Sequence, residues 1–322
     1  MIPALVAAVL ALLPIAATAA ETPRPVWIDV DPSCGLTPDD PSDCWALALA
    51  LRSPEIVVRG ISVVFGTVQG DRPFEATRDL VKRIADRFPG TATPPVYRGS
   101  YGYLHRWAGI GTEASQAMAD ALRDERLTVI ALGPLTNLST ALFRHPSVVK
   151  NIDRIVAVVG SNPIAMWPYP GPEGEIHRDP NVRHDPNAVT MVLDSAVPLV
   201  FMPREAAVKV ALAPTDLDRV SASGPFGRRL VEESRPWAAR WATATGATDL
   251  PVFDSLAVAY VVRPESFACA ARRTDFDYSG FLGFRGPTRL EVGAEGRVGF
   301  SYCAEADAST KALLLDRIAP RP

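Results

Sequence analysis

The sequence predicts an α/β protein, a doubly wound and mostly parallel sheet flanked by helices with a small antiparallel C-terminal extension. Three observations carry this. Short apolar runs at 26–28, 57–64, 127–132, 152–159 and 199–202 alternate with segments of helical spacing at 44–51, 74–87, 114–123, 135–144 and 186–195. Parallel strands joined by helical crossovers produce that alternation. Carboxylates crowd the end of the first run, where open α/β sheets build their sites. From residue 273 onward, alternation of apolar and polar residues suggests antiparallel strands.

Composition limits the choices. The chain has 322 residues, 48% hydrophobic and 21% charged, which is ample for a core. Net charge is −3 with signs mixed throughout, so there is no electrostatic footprint for nucleic acid. The 30 prolines imply firm loops. No G-x-G-x-x-G follows the first strand, so a dinucleotide-binding fold has no support.

Residues 1–20 are apolar and end in small side chains, with Ala17-Thr18-Ala19 as an A-x-A cleavage site. They read as a signal peptide. Pro14 and the short apolar length argue against a membrane anchor. The expectation is an exported protein, periplasmic or secreted, without stable membrane association, whose residues 21–322 form one domain. In that compartment an even count of cysteines favours disulfides over metal thiolates. Four occur: Cys34, Cys44, Cys269 and Cys303. All three pairings are open; Cys34–Cys44 would bracket the acidic loop and Cys269–Cys303 would tie the C-terminal strands.

The first strand, Val26-Trp27-Ile28, leads into five aspartates within fifteen residues: Asp29, Asp31, Asp39, Asp40 and Asp43. Confined carboxylates stay ionised together only if water or a cation compensates them. Calcium or magnesium suits such oxygen donors. A helix then runs over 44–51. The strand at 57–64 turns at Gly66-Thr67 into the helix at 74–87, followed by a short extended piece at 94–97. Residues 99–111 form a loop rich in glycine and aromatics. Beyond the strand at 127–132, Gly133-Pro134 opens the helix at 135–144. The strand at 152–159 feeds a Pro/Gly loop at 161–178. After the strand at 199–202 come a broken helix over 217–245, a helix at 254–262 and a last one at 309–318.

These pieces fall into a pattern. The chain resembles the inosine–uridine-preferring nucleoside hydrolases, which carry D-x-D-P-G-x-D-D near the N-terminus. The match here is Asp29-Val30-Asp31-Pro32, an insertion, then Ser42-Asp43. Gly60-Ile61-Ser62-Val63-Val64-Phe65-Gly66 fits as well. Ile130-Ala131-Leu132-Gly133-Pro134-Leu135-Thr136-Asn137-Leu138 is the most specific block. Asp179-Pro180-Asn181-Val182 and Phe253-Asp254-Ser255-Leu256 follow in the family's order.

The resemblance implies a nucleoside-hydrolase-like fold and calcium-dependent hydrolysis of the N-glycosidic bond of a riboside, giving ribose and base. It implies calcium held by Asp31, Asp43, Asp254 and the carbonyl of Leu132, with Asp31 activating a metal-bound water. It places Asp179 and Asn181 on ribose hydroxyls, with Asp29, Ser42, Thr67 and Phe253 completing the substrate site. Charge logic agrees, because a carboxylate-rich site stabilises the oxocarbenium-like transition state.

Three departures stand out. Residues 33–41 are inserted, leaving Ser42 where the family pairs two aspartates. Thr67 replaces an asparagine, and Phe253 replaces the histidine associated with protonating a leaving purine. Of the four histidines, His105 and His177 lie in loops able to cover a pocket, and Trp107 could stack there on a flat leaving group. Ser42, Thr67 and Phe253 favour a second reading: a non-catalytic nucleoside- or sugar-binding protein that retains the metal site. A haloacid-dehalogenase-type phosphatase, suggested by Asp29-Val30-Asp31 after a strand, lacks a suitably spaced lysine. The resemblance implies a small-molecule riboside as partner, and a homo-oligomer is compatible with the sequence.

Overall fold

The computed structural model describes residues 22–66, 68–104, 110–160, 179–274, 276–277, 289–290 and 292–321. Its strands in chain order are β1 (Arg24–Val30), β2 (Ile56–Val63), β3 (Val96–Arg98), β4 (Leu127–Ala131), β5 (Ile152–Ala157), β6 (Leu199–Phe201), β7 (Phe267–Thr274), β8 (Phe276–Asp277), β9 (Arg289–Leu290) and β10 (Val298–Ala306). Eight of them form one sheet in the order β3-β2-β1-β4-β5-β6-β10-β7, while β8 and β9 pair separately. Every neighbour in the large sheet is parallel except β7, which runs antiparallel to β10.

The central strand shows why the sheet is covered on both sides. Residues Val26 to Val30 are all buried. Because side chains alternate along a strand, Val26, Ile28 and Val30 enter one core and Trp27 the other. The first core is closed by helices Ser42–Leu51, Arg72–Arg87, Pro225–Thr245, Ser255–Val262 and Ala308–Ile318. The second is closed by Glu113–Asp124, Thr136–Arg144 and Pro186–Asp194. Helix Ser42–Leu51 is buried over nine of its ten residues, which its almost wholly apolar sequence permits.

Some element bounds differ from the sequence reading, for local reasons. The break within 217–245 falls between helices Pro214–Ala222 and Pro225–Thr245, at Gly224 with φ 135°, a conformation that only glycine adopts easily. Pro236 lies inside the second helix without ending it. The antiparallel part begins at Phe267 rather than residue 273, because Ala268-Cys269-Ala270-Ala271 carries no apolar–polar alternation. Helices Pro180–His184 and Arg204–Lys209 are too short to show a period in the sequence.

All four cysteines are paired, as Cys34–Cys44 and Cys269–Cys303. The second bridge joins β7 to β10. The first closes a loop of sequence separation 10 between the end of β1 and the first turn of helix Ser42–Leu51. Replacing Cys34 and Cys44 with serine is expected to lower the unfolding free energy by about 2–3 kcal/mol from loop closure, read as a shift in urea midpoint. Among the described residues no helix is long and apolar enough to cross a membrane. Residues 1–20 lie outside the described residues.

Candidate active site

Strand β1 stands where the strand order reverses, with β2 and β3 to one side and β4, β5 and β6 to the other. The carboxyl edge beside such a switch point is an open crevice in a doubly wound sheet. The register brings Asp29 opposite Ser62 on β2 and Ala131 on β4. The Asp29 carbonyl accepts a 2.8 Å hydrogen bond from the Leu132 N–H. Asp31 and Leu132-Gly133 therefore leave the sheet together.

Asp29 is fully buried. Its Oδ1 accepts from Ser62 Oγ at 2.5 Å and Asn137 Nδ2 at 2.8 Å, while its Oδ2 meets no donor among the described residues. Burial pushes its pKa up to about 7, against the two hydrogen bonds. Asn137 Oδ1 in turn accepts from the N–H and Oγ of Ser100, so one side chain links Asp29 to the chain beyond β3. Asn137→Ala would orphan buried groups on both sides. It is expected to cost about 2–3 kcal/mol of stability, measured by denaturant unfolding.

Asp31 is only partly buried, and two glycines make room for it. A Cβ at Gly66 would lie 1.9 Å from Asp31 Oδ2, and one at Gly133 would lie 2.5 Å from Oδ1. The Asp31 N–H donates to Asp43 Oδ1 at 3.1 Å. Asp43 sits in the first turn of its helix. Asp254, at the start of helix Ser255–Val262, accepts from Ser42 Oγ at 2.6 Å. The carboxyls of Asp31, Asp43 and Asp254 are all held well above the usual range, by burial first and then by repulsion from one another and from Asp40. The charge of Arg204 opposes this shift at Asp31 and Asp254.

The inserted loop separates its two acids. Asp39 pairs with Arg240 at 2.7 Å, on the long helix. Asp40 accepts from the Ser42 N–H at 3.0 Å and its charge is felt by all three carboxyls.

Asn181 Nδ2 donates to the carbonyls of Leu132 at 2.6 Å and Val158 at 3.0 Å. Asp179 caps helix Pro180–His184, and its Oδ2 accepts from the Gly160 N–H at 2.6 Å. Phe253 is 2% exposed and meets Trp241 edge-on at 5.8 Å. Thr67, His105, Trp107 and His177 lie outside the described residues.

Sequence reasoning gives no site role to Ser62, Asn137 or Arg204. The first two lie in the two family-like blocks, and a buried polar side chain at a strand end was the available signal. Arg204 carries none, because the short helix that places it is invisible to periodicity.

Among the described residues, no three His, Cys, Asp or Glu side chains stand at ligating spacing as they are. Ser42 and the Asp31 N–H occupy carboxylate oxygens, and Asn181 occupies the Leu132 carbonyl. The donor chemistry fits a hard divalent cation, since several buried carboxylates that repel one another need positive charge to stay ionised.

A family model described as "Inosine-uridine preferring nucleoside hydrolase" matches residues 26–306. This chain belongs to that family. The nucleoside hydrolase relatives include the pyrimidine-specific ribonucleoside hydrolase RihA of Klebsiella pneumoniae, 26% identical over 278 residues, spanning 80% of this chain and 85% of the relative. RihA of Salmonella typhimurium is 26% identical over 279 residues, with the same 80% and 85% coverage. Among solved structures, a plant nucleoside hydrolase matches with a TM-score of 0.77 at 18% identity, covering 93% of this chain and 100% of that one. An inosine-uridine preferring nucleoside hydrolase from Bacillus anthracis matches with a TM-score of 0.68 at 19% identity, covering 92% and 99%. At these identities the structural likeness concerns the fold: a mostly parallel sheet with an antiparallel C-terminal pair.

Proposed function

We propose that this nucleoside hydrolase family member is an exported enzyme that hydrolyses the N-glycosidic bond of ribosides, with calcium as its cofactor. The observation that carries the reading is the gathering of Asp29, Asp31, Asp43 and Asp254 at the switch-point edge of the sheet. Asp31, Asp43, Asp254 and the Leu132 carbonyl would hold the ion. Bound there, calcium would offset the carboxylate charge and polarise oxygens near it.

Asp31 is the base that takes a proton from the attacking water. It is partly accessible, and its carboxylate stands in the slot that Gly66 and Gly133 leave open. Asp29, pinned by Ser62 and Asn137, buttresses it, while Asp179 and Asn181 orient ribose hydroxyls. Paired cysteines throughout suit an oxidising compartment.

The test is release of free ribose from pyrimidine and purine ribosides and p-nitrophenyl riboside, with calcium and with chelator. Pyrimidine ribosides head the panel because the RihA relatives are pyrimidine-specific. Calcium-dependent release is expected. Binding of ribosides and calcium without release from any of them would favour the second reading, a binding protein, which the buried Phe253 supports. Gly133→Ala gives a steric check. Its methyl would displace the Asp31 carboxylate, so kcat is expected to fall about 100-fold with the misplacement of that group.

A further inference from the structure

Resting on that hydrolase reading, we propose that Arg204 stabilises the departing base as an anion, by charge rather than by proton transfer. Arg204 follows β6 and opens helix Arg204–Lys209. Because β6 runs parallel to β5, and β5, β4 and β1 run parallel in turn, this is the same sheet edge as Asp31. Its guanidinium carbon lies 5.1 Å from the centre of the Phe253 ring. Trp241 packs edge-on against that ring. Phe253 is the residue immediately before Asp254, and its aromatic ring cannot give up a proton. Among the described residues, the charged group seated on that ring is the Arg204 guanidinium. Arg204 is partly exposed, and its charge reaches both Asp31 and Asp254. A fixed cation here repels any divalent ion the carboxylates bind, a cost that makes sense if its charge serves the reaction.

The step balances without another reagent. The bond from ribose C1′ to the base nitrogen breaks, and its electron pair stays with the base. A water oxygen bonds to C1′ while the water proton passes to Asp31. The base anion then takes a proton from solvent, and Asp31 returns its own. Arginine keeps its proton at any working pH, but its N–H groups form charge-assisted hydrogen bonds to a developing anion. The favoured leaving group is one that spreads its charge onto a carbonyl oxygen next to the breaking bond. An oxo-pyrimidine does this, whereas a purine has no carbonyl beside that nitrogen.

The test compares the wild-type holoenzyme with Arg204→Met and Arg204→Lys. The substrates are uridine, 5-halogenated uridines of rising leaving-group acidity, and p-nitrophenyl riboside. Arg204→Met is expected to lose about 100-fold in kcat/KM on uridine, the scale of one lost anion-stabilising donor. It should lose little on p-nitrophenyl riboside and show a steeper dependence of rate on leaving-group acidity. Arg204→Lys should fall between. Added guanidinium ion should restore uridine cleavage to Arg204→Ala. Equal losses on every substrate, or an unchanged slope, would overturn the role of Arg204 while leaving the hydrolase reading intact. Wild-type protein that releases no ribose from any substrate would overturn both.

Discussion

Asp31→Asn is expected to abolish calcium-dependent ribose release, by 10²–10⁴-fold as a lost general base requires, and yet to raise the melting temperature in chelator at neutral pH. The two effects have one cause. Asp31 stands in a slot shaped by Gly66 and Gly133, its backbone N–H tied to Asp43. An isosteric amide fills the slot with little steric change. What it removes is a charge that burial and the neighbouring Asp254, Asp40 and Asp29 all oppose. In its proposed role, Asp31 would be a stability cost carried for function. The measurements are ribose release at saturating substrate and thermal unfolding in EDTA and in calcium. The variant should also gain less from calcium than the wild type does. A variant that melts lower in EDTA would show that Asp31 is not repelled by its neighbours, and one that keeps a tenth of wild-type turnover would show that it is not the base.

Much of this was readable from the sequence because hydrophobic period and a few local signals dictate it. Five of the parallel strands, β1, β2, β4, β5 and β6, coincide with short apolar runs, whereas the three-residue β3 shows only as an extended piece, and the aspartates mark the edge where the order reverses. The disulfide partners were a matter of three open pairings, settled only when folding sets Cys269 on β7 beside Cys303 on β10. Other features depend on distance in space. Whether Asp39 or Asp40 turns inward is decided by Arg240, some two hundred residues away on the long helix. The place of Arg204 follows from the end of a three-residue strand and the position of Phe253. Neither relation leaves a periodic trace in the chain.

Chelating calcium should make the protein most stable at mildly acid pH and progressively weaker toward neutrality. The sign follows from Asp29, whose folded pKa of about 7 exceeds its unfolded value near 3.8. Between those values the native state holds a proton that the unfolded state has lost. The stabilisation is full below about pH 4 and is lost as pH rises through 7. A shift of this size corresponds to about 4 kcal/mol at most. Asp31, Asp43 and Asp254 are shifted the same way. Asp71 and Asp307 are shifted down by surface hydrogen bonds and act in the opposite sense. Both are fully exposed, and exposed pairs contribute little. Calcium bound as proposed would compete with protons for the same oxygens, so it should add little at pH 4.5. At pH 7.5 and a hundredfold excess over its Kd it should add about 2.7 kcal/mol. Melting curves from pH 4.5 to 8 with EDTA or calcium measure both effects. A melting temperature that climbs steadily with pH in EDTA, unchanged by calcium, would mean that these carboxylates are solvated and do not repel one another, and the cation site would fall with them.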